Sequence, residues 1–269
     1  MHQSRFGCNS ELTQNSGSKV CIVIPARKNS LRFPAKVLWK FKGIPMLEHV
    51  YQRACLAMSP EHVYITSNDK EILNFAESIG ANSIRSYRTH DNGTSRTAEV
   101  AQTMRYDFVI ILQADEILID PKHLKSMIKA IKNKRDEYCF NLITKIQNIN
   151  QLSDTNVVKC VISNNQTIKS LHREISAHAL NLKYIYKVMG IIAFERNFLL
   201  NLAQLPDQSL QKYLSIEQLK VIECGYNLYG VAVDTSYPSI NTIKDVMEVQ
   251  RYLDGNARQR SILQLYAYQ

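Results

Sequence analysis

Apolar residues fall along this chain in short unbroken runs, separated by stretches where they recur every three or four positions. Cys21–Ile24 is one such run and Phe108–Leu112 (Phe-Val-Ile-Ile-Leu) another. Unbroken β-branched runs of this length predict strands buried on both faces, the pattern of a parallel sheet. Met46, Val50 and Ala54 stand at helical spacing and predict a helix over 46–58. His62–Thr66 reads as a strand, 70–80 as a helix closed by Gly80, 83–86 as an extended piece and 97–104 as helical. Pro121 opens a further helix running to Lys132, with Asp120 as its N-cap, because proline lacks only an N–H that a first turn leaves unpaired.

The second half is patterned differently. Phe140–Ile146, Val157–Ile162, Thr167–Leu171 and Gly190–Phe194 read as strands with few helices between them, which predicts mixed or antiparallel pairing. One long helix is expected over 210–224, then the strand Leu228–Val233 and a closing helix over 242–253. The expected fold is α/β: a Rossmann-like, mixed, mostly parallel sheet flanked by helices, with a smaller β-rich sub-region over about 139–200. Residues 20–269 are expected to form one domain behind a polar, disordered tail over 1–19.

Composition narrows the partners. The 269 residues are 45% hydrophobic, enough for a sizeable core, and 33 Lys+Arg against 24 Asp+Glu give a net charge of +9. A basic balance favours anionic partners. The cations are scattered through helix-like stretches such as 122–135 without interleaved aromatics, so nucleic acid is not expected. The six cysteines are widely spaced, with no CxxC, which points to a reducing cytoplasmic setting without structural zinc or disulfides. No run of about 18 apolar residues is present, so no membrane insertion is expected.

Ligands of parallel α/β sheets bind beyond the carboxyl ends of the strands. The first strand end is strongly cationic: Arg27, Lys28, Arg32 and Lys36 sit on one loop bracketed by Pro25 and Pro34, a way to hold a phosphate chain. The second, Thr66-Ser67-Asn68-Asp69, reads equally well as a helix cap. The third, Gln113-Ala114-Asp115-Glu116, sets an acid opposite the cationic loop, where Mg²⁺ would bridge carboxylate and phosphate. Asn92-Gly93 signals a turn, and a glycine there lets backbone approach a planar base. His49, His62, His123 and His172 are expected at the surface or at caps, and Trp39 in packing.

In order along the chain, Ile24-Pro25-Ala26-Arg27, Ser30, Arg32, Pro34, Lys36 and Gly43-Ile44-Pro45-Met46 resemble the opening of the 3-deoxy-manno-octulosonate (Kdo) cytidylyltransferases, also called CMP-Kdo synthetases. His90, Gly93-Thr94, Arg96 and Ala98-Glu99-Val100 resemble that family's HxSGTxRxAEV, and Gln113-Ala114-Asp115-Glu116 its QGDE. Asn156-Val157-Val158-Lys159 is similar to its NxxxVK, and Leu210 with Ile216-Glu217-Gln218-Leu219 to its LExxExLEQL helix. The resemblance covers roughly 20–253.

The resemblance implies transfer of CMP from CTP to the anomeric hydroxyl of Kdo or a related ulosonic acid, for lipopolysaccharide or other surface polysaccharide, by a homodimer. It implies that Arg27, Arg32 and Lys36 hold phosphates, and that Pro25, Ala26, Ser30, Asn92, Gly93, Thr94 and Gln113 border the nucleotide. Lys187, Glu217 and Gln218 would meet the acceptor, and Asp115 would ligate Mg²⁺ with Asn241 at the second metal position. Arg27, Lys36 and Asp115 are the candidate catalytic residues. Asn241 stands where the family has aspartate, an exchange that removes a charge, and Asp234 could compensate only through a rearranged chain. Val188 and Ile192 replace a His and a Tyr facing the sugar acid. Two alternatives stay open: a different anionic acceptor, such as an amino-modified octulosonate, or a catalytically reduced homologue that only binds nucleotide.

Overall fold

The structure is a computed structural model that describes residues 18–29, 32–146, 148–176, 182–207 and 209–267. The first strand, β1 (Val20–Pro25), is buried along its whole length. Ile22 and Ile24 face one helical layer while Cys21 and Val23 face the other, because side chains alternate along a strand. A tight hairpin follows, β2 (Lys40–Phe41) and β3 (Ile44–Pro45). Its turn places Lys42 and Gly43 at φ 51° and 82°, the left-handed pair that matches strand twist.

Helix α1 (Met46–Cys55), β4 (Val63–Ser67), α2 (Lys70–Ser78) and β5 (Asn82–Arg85) come next. Gly80 ends α2 in the left-handed region at φ 70°, as its position predicts. Then come α3 (Gly93–Ala101), β6 (Phe108–Leu112) and α4 (Pro121–Asn133). Asp120 caps α4 by accepting the Lys122 N–H at 2.9 Å. The later elements are β7 (Cys139–Lys145), β8 (Lys159–Ile162), β9 (Thr167–His172), β10 (Ile185–Glu195), α5 (Arg196–Gln204), α6 (Ser209–Leu214), α7 (Leu219–Glu223), β11 (Leu228–Val233), α8 (Asp245–Gly255) and α9 (Ala257–Ala267).

Nine strands form one mixed sheet in the order β5-β4-β1-β6-β10-β7-β11-β9-β8. β5, β4, β1 and β6 are mutually parallel, and β10 then runs antiparallel to β6, β7 and β8. The β10–β8 pairing closes the second half of the sheet on itself, while β11 runs parallel to β7. One core layer packs α1, α2, α4 and α8 against the sheet, and the other packs α3, α5 and α7.

Several expectations are corrected. Helix α3 begins at Gly93 rather than Thr97, because Asn92 is its N-cap and accepts the Ser95 N–H at 2.8 Å. The expected single helix over 210–224 is two, interrupted where Ser215 takes φ 51°. Helices α5 and α9 were not foreseen. Glu195 caps α5 by accepting the Asn197 and Phe198 N–H groups. Helix α9 is held by polar contacts: the buried Arg53 donates to Gln259 Oε1 at 2.7 Å and to Tyr266 Oη at 3.1 Å. His49 and His123 are buried rather than at the surface. His49 bonds the Phe41 carbonyl oxygen at 2.8 Å and the Tyr266 hydroxyl at 2.9 Å. Trp39 packs against the core beside Phe33, as expected.

Candidate active site

Parallel β1, β4 and β6 deliver their carboxyl ends to one edge of the sheet, so the loops after Pro25 and Leu112 meet there. Lys36 follows Ala35, which takes the left-handed conformation at φ 52°, and opens a tight turn anchored by buried Val37. That turn sends the Lys36 ammonium to Asp115 Oδ2 at 3.0 Å, with 12% and 25% of the two side chains exposed. The cationic loop and the acid after β6 therefore converge.

A small cavity of about 110 Å³ lies beside them, lined by Pro25, Ala26, Arg27, Asn92, Gly93 and Gln113. A Cβ on Gly93 would come within 2.9 Å of Pro25 Cγ and 3.1 Å of Gln113 Nε2, so only glycine leaves this wall in place. Arg27 Nη1 donates to the Asp91 carbonyl at 3.0 Å, tying the cationic loop to the cap of α3. Thr94 Oγ1 donates to Glu217 Oε2 at 2.6 Å, and burial pushes the Glu217 carboxyl up despite that bond. Behind the wall Arg96 donates to Asn68 Oδ1 at 2.9 Å, and His90 Nε2 lies 2.5 Å from Glu99 Oε2.

A wider cavity of about 600 Å³ adjoins, with Arg32, Asp115, Lys187, Gln218 and Asn241 among its lining residues. Gln113 and Glu217 line both cavities, so the two form one cleft. Gln218 Nε2 donates to Asn141 Oδ1 at 3.1 Å, and Lys187 Nζ reaches Ser236 Oγ at 3.4 Å. Glu116 accepts the Gly190 N–H at 3.2 Å, where β10 bulges. Burial first, then the Asp115 carboxylate, raise the Glu116 carboxyl to about 7, while Lys187 pulls the other way. Val188 and Ile192 are both buried and apolar.

Two cations hold the wall of the wider cavity. Arg173 donates to the carbonyls of Thr155, Leu214 and Ser215 at 3.1, 2.9 and 2.6 Å. Lys159 is fully buried, and its ammonium donates to the carbonyls of Asp154, Val157 and Arg173. Backbone oxygens thus replace the water that this charge loses, and burial lowers its proton affinity.

The donor set fits a hard cation in part. Among the described residues no three His, Cys, Asp or Glu cluster as a metal site. Mg²⁺, however, needs only one or two protein oxygens when phosphates supply others. Asp115 offers a carboxylate. Asn241 donates its Nδ2 to Ser239 Oγ at 3.1 Å, which leaves Oδ1 as its ligating atom. The Ile240 N–H bonds the Asp115 carbonyl at 3.4 Å, so the two segments are adjacent.

The candidate residues that the structure describes gather in this cleft, while Ser30 lies outside the described residues. Lys28 departs from the expected phosphate set: its ammonium pairs with Glu71 at 2.5 Å and its N–H bonds Asp69 at 2.8 Å. Asp234 is not among the residues that line the two cavities; it pairs instead with Lys122 at 2.7 Å and His123 at 3.1 Å, which hold its carboxyl down at about 2. The family resemblance brought Asn241 of the loop 236–245 into the site, but sequence reasoning missed Asp245, whose Oδ2 accepts the N–H groups of Asn241 and Thr242 at 2.8 and 2.7 Å. That loop follows β11, which is parallel to its neighbour β7, so the strand-end rule could have found it. Arg173 and Glu116 carried no sequence signal of their roles.

A family model described as Cytidylyltransferase matches residues 21–229. The 8-amino-3,8-dideoxy-manno-octulosonate cytidylyltransferase of Shewanella pealeana is 33% identical over 233 residues, 84% of this chain and 95% of that protein. The 3-deoxy-manno-octulosonate cytidylyltransferase of Solibacter usitatus is 32% identical over 248 residues, 90% of this chain and 97% of the relative. A solved structure of CMP:2-keto-3-deoxy-manno-octonic acid synthetase complexed with CTP superposes with a TM-score of 0.82 at 28% identity, covering 88% of this chain and 99% of the other. By the span of the family match and these identities, the chain belongs to the cytidylyltransferase family, as its five collinear motifs imply.

Proposed function

We propose that this protein transfers CMP from CTP to the anomeric hydroxyl of a 2-keto-3-deoxy sugar acid and releases pyrophosphate. The observation that carries the reading is the meeting of Lys36 with Asp115 at 3.0 Å, beside a glycine-walled cavity. Transfer at phosphorus needs positioning and charge neutralisation more than covalent help. Arg27 and Arg32 offer forked donors to the phosphates, and Lys36 offers a point charge. Pro25, Ala26, Gln113 and the start of α3 at Asn92–Thr94 border the nucleoside. Lys187 and Gln218 face the acceptor, with Glu217 between the two cavities.

The acceptor oxygen forms a bond to the α-phosphorus as the bond from that phosphorus to the bridging oxygen of pyrophosphate breaks, and the hydroxyl proton is released. Mg²⁺, held by Asp115 and Asn241 with the phosphates, would neutralise charge on them. Pyrophosphate release with CTP, Mg²⁺ and a panel of sugar acids tests the reading. Turnover with Kdo or a relative is expected. CTP binding without turnover on any acceptor would leave only a nucleotide-binding homologue.

A second reading keeps the reaction and changes the acceptor to an amino-substituted octulosonate. It is favoured by the apolar Val188 and Ile192 and by the similarity to the Shewanella relative, whose name specifies such a sugar. A cytoplasmic setting is supported by the free thiols Cys21, Cys55, Cys139, Cys160 and Cys224 and by dependence on CTP. A homodimer follows from the family resemblance, and sedimentation of the pure protein tests it. Among the described residues no helix is long and apolar enough to cross a membrane.

A further inference from the structure

The Lys36 ammonium sits on the Asp115 carboxylate, the group that the proposed function gives to the metal ion. Its bond to Asp115 Oδ2 is 3.0 Å long and largely shielded from water, so solvent screens it little. The turn that carries the ammonium is fixed by the Ala35 N–H bond to the Lys28 carbonyl at 3.0 Å and by the Lys36 N–H bond to the Phe33 carbonyl at 3.2 Å, which keeps the ammonium within reach of Asp115. The neighbouring ligand position brings no charge to offset it. Asn241 is an amide, and the nearby Asp245 turns its Oδ2 to the N–H groups of Asn241 and Thr242. Lys187 lines the same cavity as Asp115 and adds a further positive charge. A divalent cation approaching alone therefore meets a carboxylate whose charge is already matched. A polyphosphate changes the balance, since it carries several negative oxygens that can accept the Lys36 donors and ligate the cation together.

We propose that Lys36 and the divalent cation compete for Asp115, so that the metal binds only with the triphosphate, which draws Lys36 from the carboxylate onto phosphate. This rests on the reading that the cleft binds CTP. Metal and nucleotide are then thermodynamically coupled, and each strengthens the other by the same factor. The exchange of aspartate for Asn241 makes the coupling stronger, because a second carboxylate would give a lone cation a charged ligand that Lys36 does not contest.

The test titrates Mn²⁺, a paramagnetic stand-in for Mg²⁺, into the full-length protein and reads free Mn²⁺ by electron paramagnetic resonance, with and without CTP. CTP binding is measured separately in EDTA by calorimetry. After subtraction of the Mn²⁺ that the same CTP binds without protein, the wild-type protein is expected to bind Mn²⁺ at least about tenfold more tightly with CTP than without it. Lys36→Met is expected to bind Mn²⁺ without nucleotide at least about tenfold more tightly than wild type. Lys28→Met, which removes an ammonium paired with Glu71 instead, should leave Mn²⁺ binding unchanged, and circular dichroism checks that both variants fold. Equal Mn²⁺ affinity with and without CTP, while CTP still binds in EDTA, overturns the competition and leaves the nucleotide reading intact. Failure of CTP to bind under any condition overturns both. A folded Lys36→Met protein with wild-type Mn²⁺ affinity overturns the proposal by itself.

Discussion

Gly93 and Gln113 pack so closely that a methyl group on the glycine would lie 3.1 Å from the glutamine amide nitrogen. The same methyl would lie 2.9 Å from Pro25 Cγ, so either the end of β1 or the start of α3 would have to move. Gly93→Ala is accordingly expected to weaken CTP binding by on the order of tenfold or more, since sub-ångström misplacement of a binding wall is costly. Calorimetric titration of CTP checks this, with thermal melting as the control for folding. An unchanged dissociation constant would remove the small cavity from the nucleotide site.

Asn241→Asp restores a charged ligand next to Asp115. The Mg²⁺ concentration for half-maximal pyrophosphate release should fall several-fold, because each added carboxylate raises affinity for a hard divalent cation. Asn241→Ala should raise it. If neither variant alters the metal requirement, the residue does not touch the ion.

The acceptor preference should respond to residues 188 and 192. Both are buried and apolar, and each can be given a hydrogen-bonding side chain by Val188→His and Ile192→Tyr. The double variant is expected to shift the kcat/KM ratio toward Kdo and away from an amino-substituted acceptor by about tenfold or more. Val188 lines the wider cavity and Ile192 does not, so a ratio that does not move places acceptor selection at other residues.

Acid should destabilise the fold through His49. Burial, reinforced by the nearby Arg53 guanidinium, lowers its pKa from 6.5 to about 4 against the opposing bond to the Phe41 carbonyl. Between those values the unfolded chain binds the proton and the folded one does not. The stability that His49 contributes is thus fully present above pH 6.5 and is lost as the pH falls toward 4, by roughly 3 kcal/mol at most. Thermal melts from pH 7 to pH 4 should fall more steeply for the wild type than for His49→Gln. Parallel curves would assign the acid sensitivity to other groups.

The elements that the sequence reveals are those whose signal is local. β1 and β6 are legible as unbroken apolar runs, because a strand covered on both faces has no polar side to interrupt it. α4 is legible from the Asp120–Pro121 cap, and α2 from Gly80, because caps are set by neighbouring residues. α9 was not legible, since its docking depends on Arg53, about two hundred residues earlier in the chain. The break at Ser215 is equally non-local: Arg173, 41 and 42 residues earlier in the chain, gathers the Leu214 and Ser215 carbonyls.

The site divides in the same way. Arg27, Lys36, Gly93, Gln113 and Asp115 stand at strand ends or turns, and the chain order of those strands is enough to bring them to one edge of the sheet. Their partners are a matter of three dimensions. That Lys28 turns to Glu71 while Lys36 turns to Asp115 depends on which carboxylate each backbone turn aims at. Asp234 pairs with α4 residues that lie beside it only in the folded chain. Residue types and their local spacing determined the fold class, the strand-end chemistry and the family likeness. Only tertiary packing decided which charges pair, because electrostatic partners are chosen by distance in space, and the sequence carries no record of that distance.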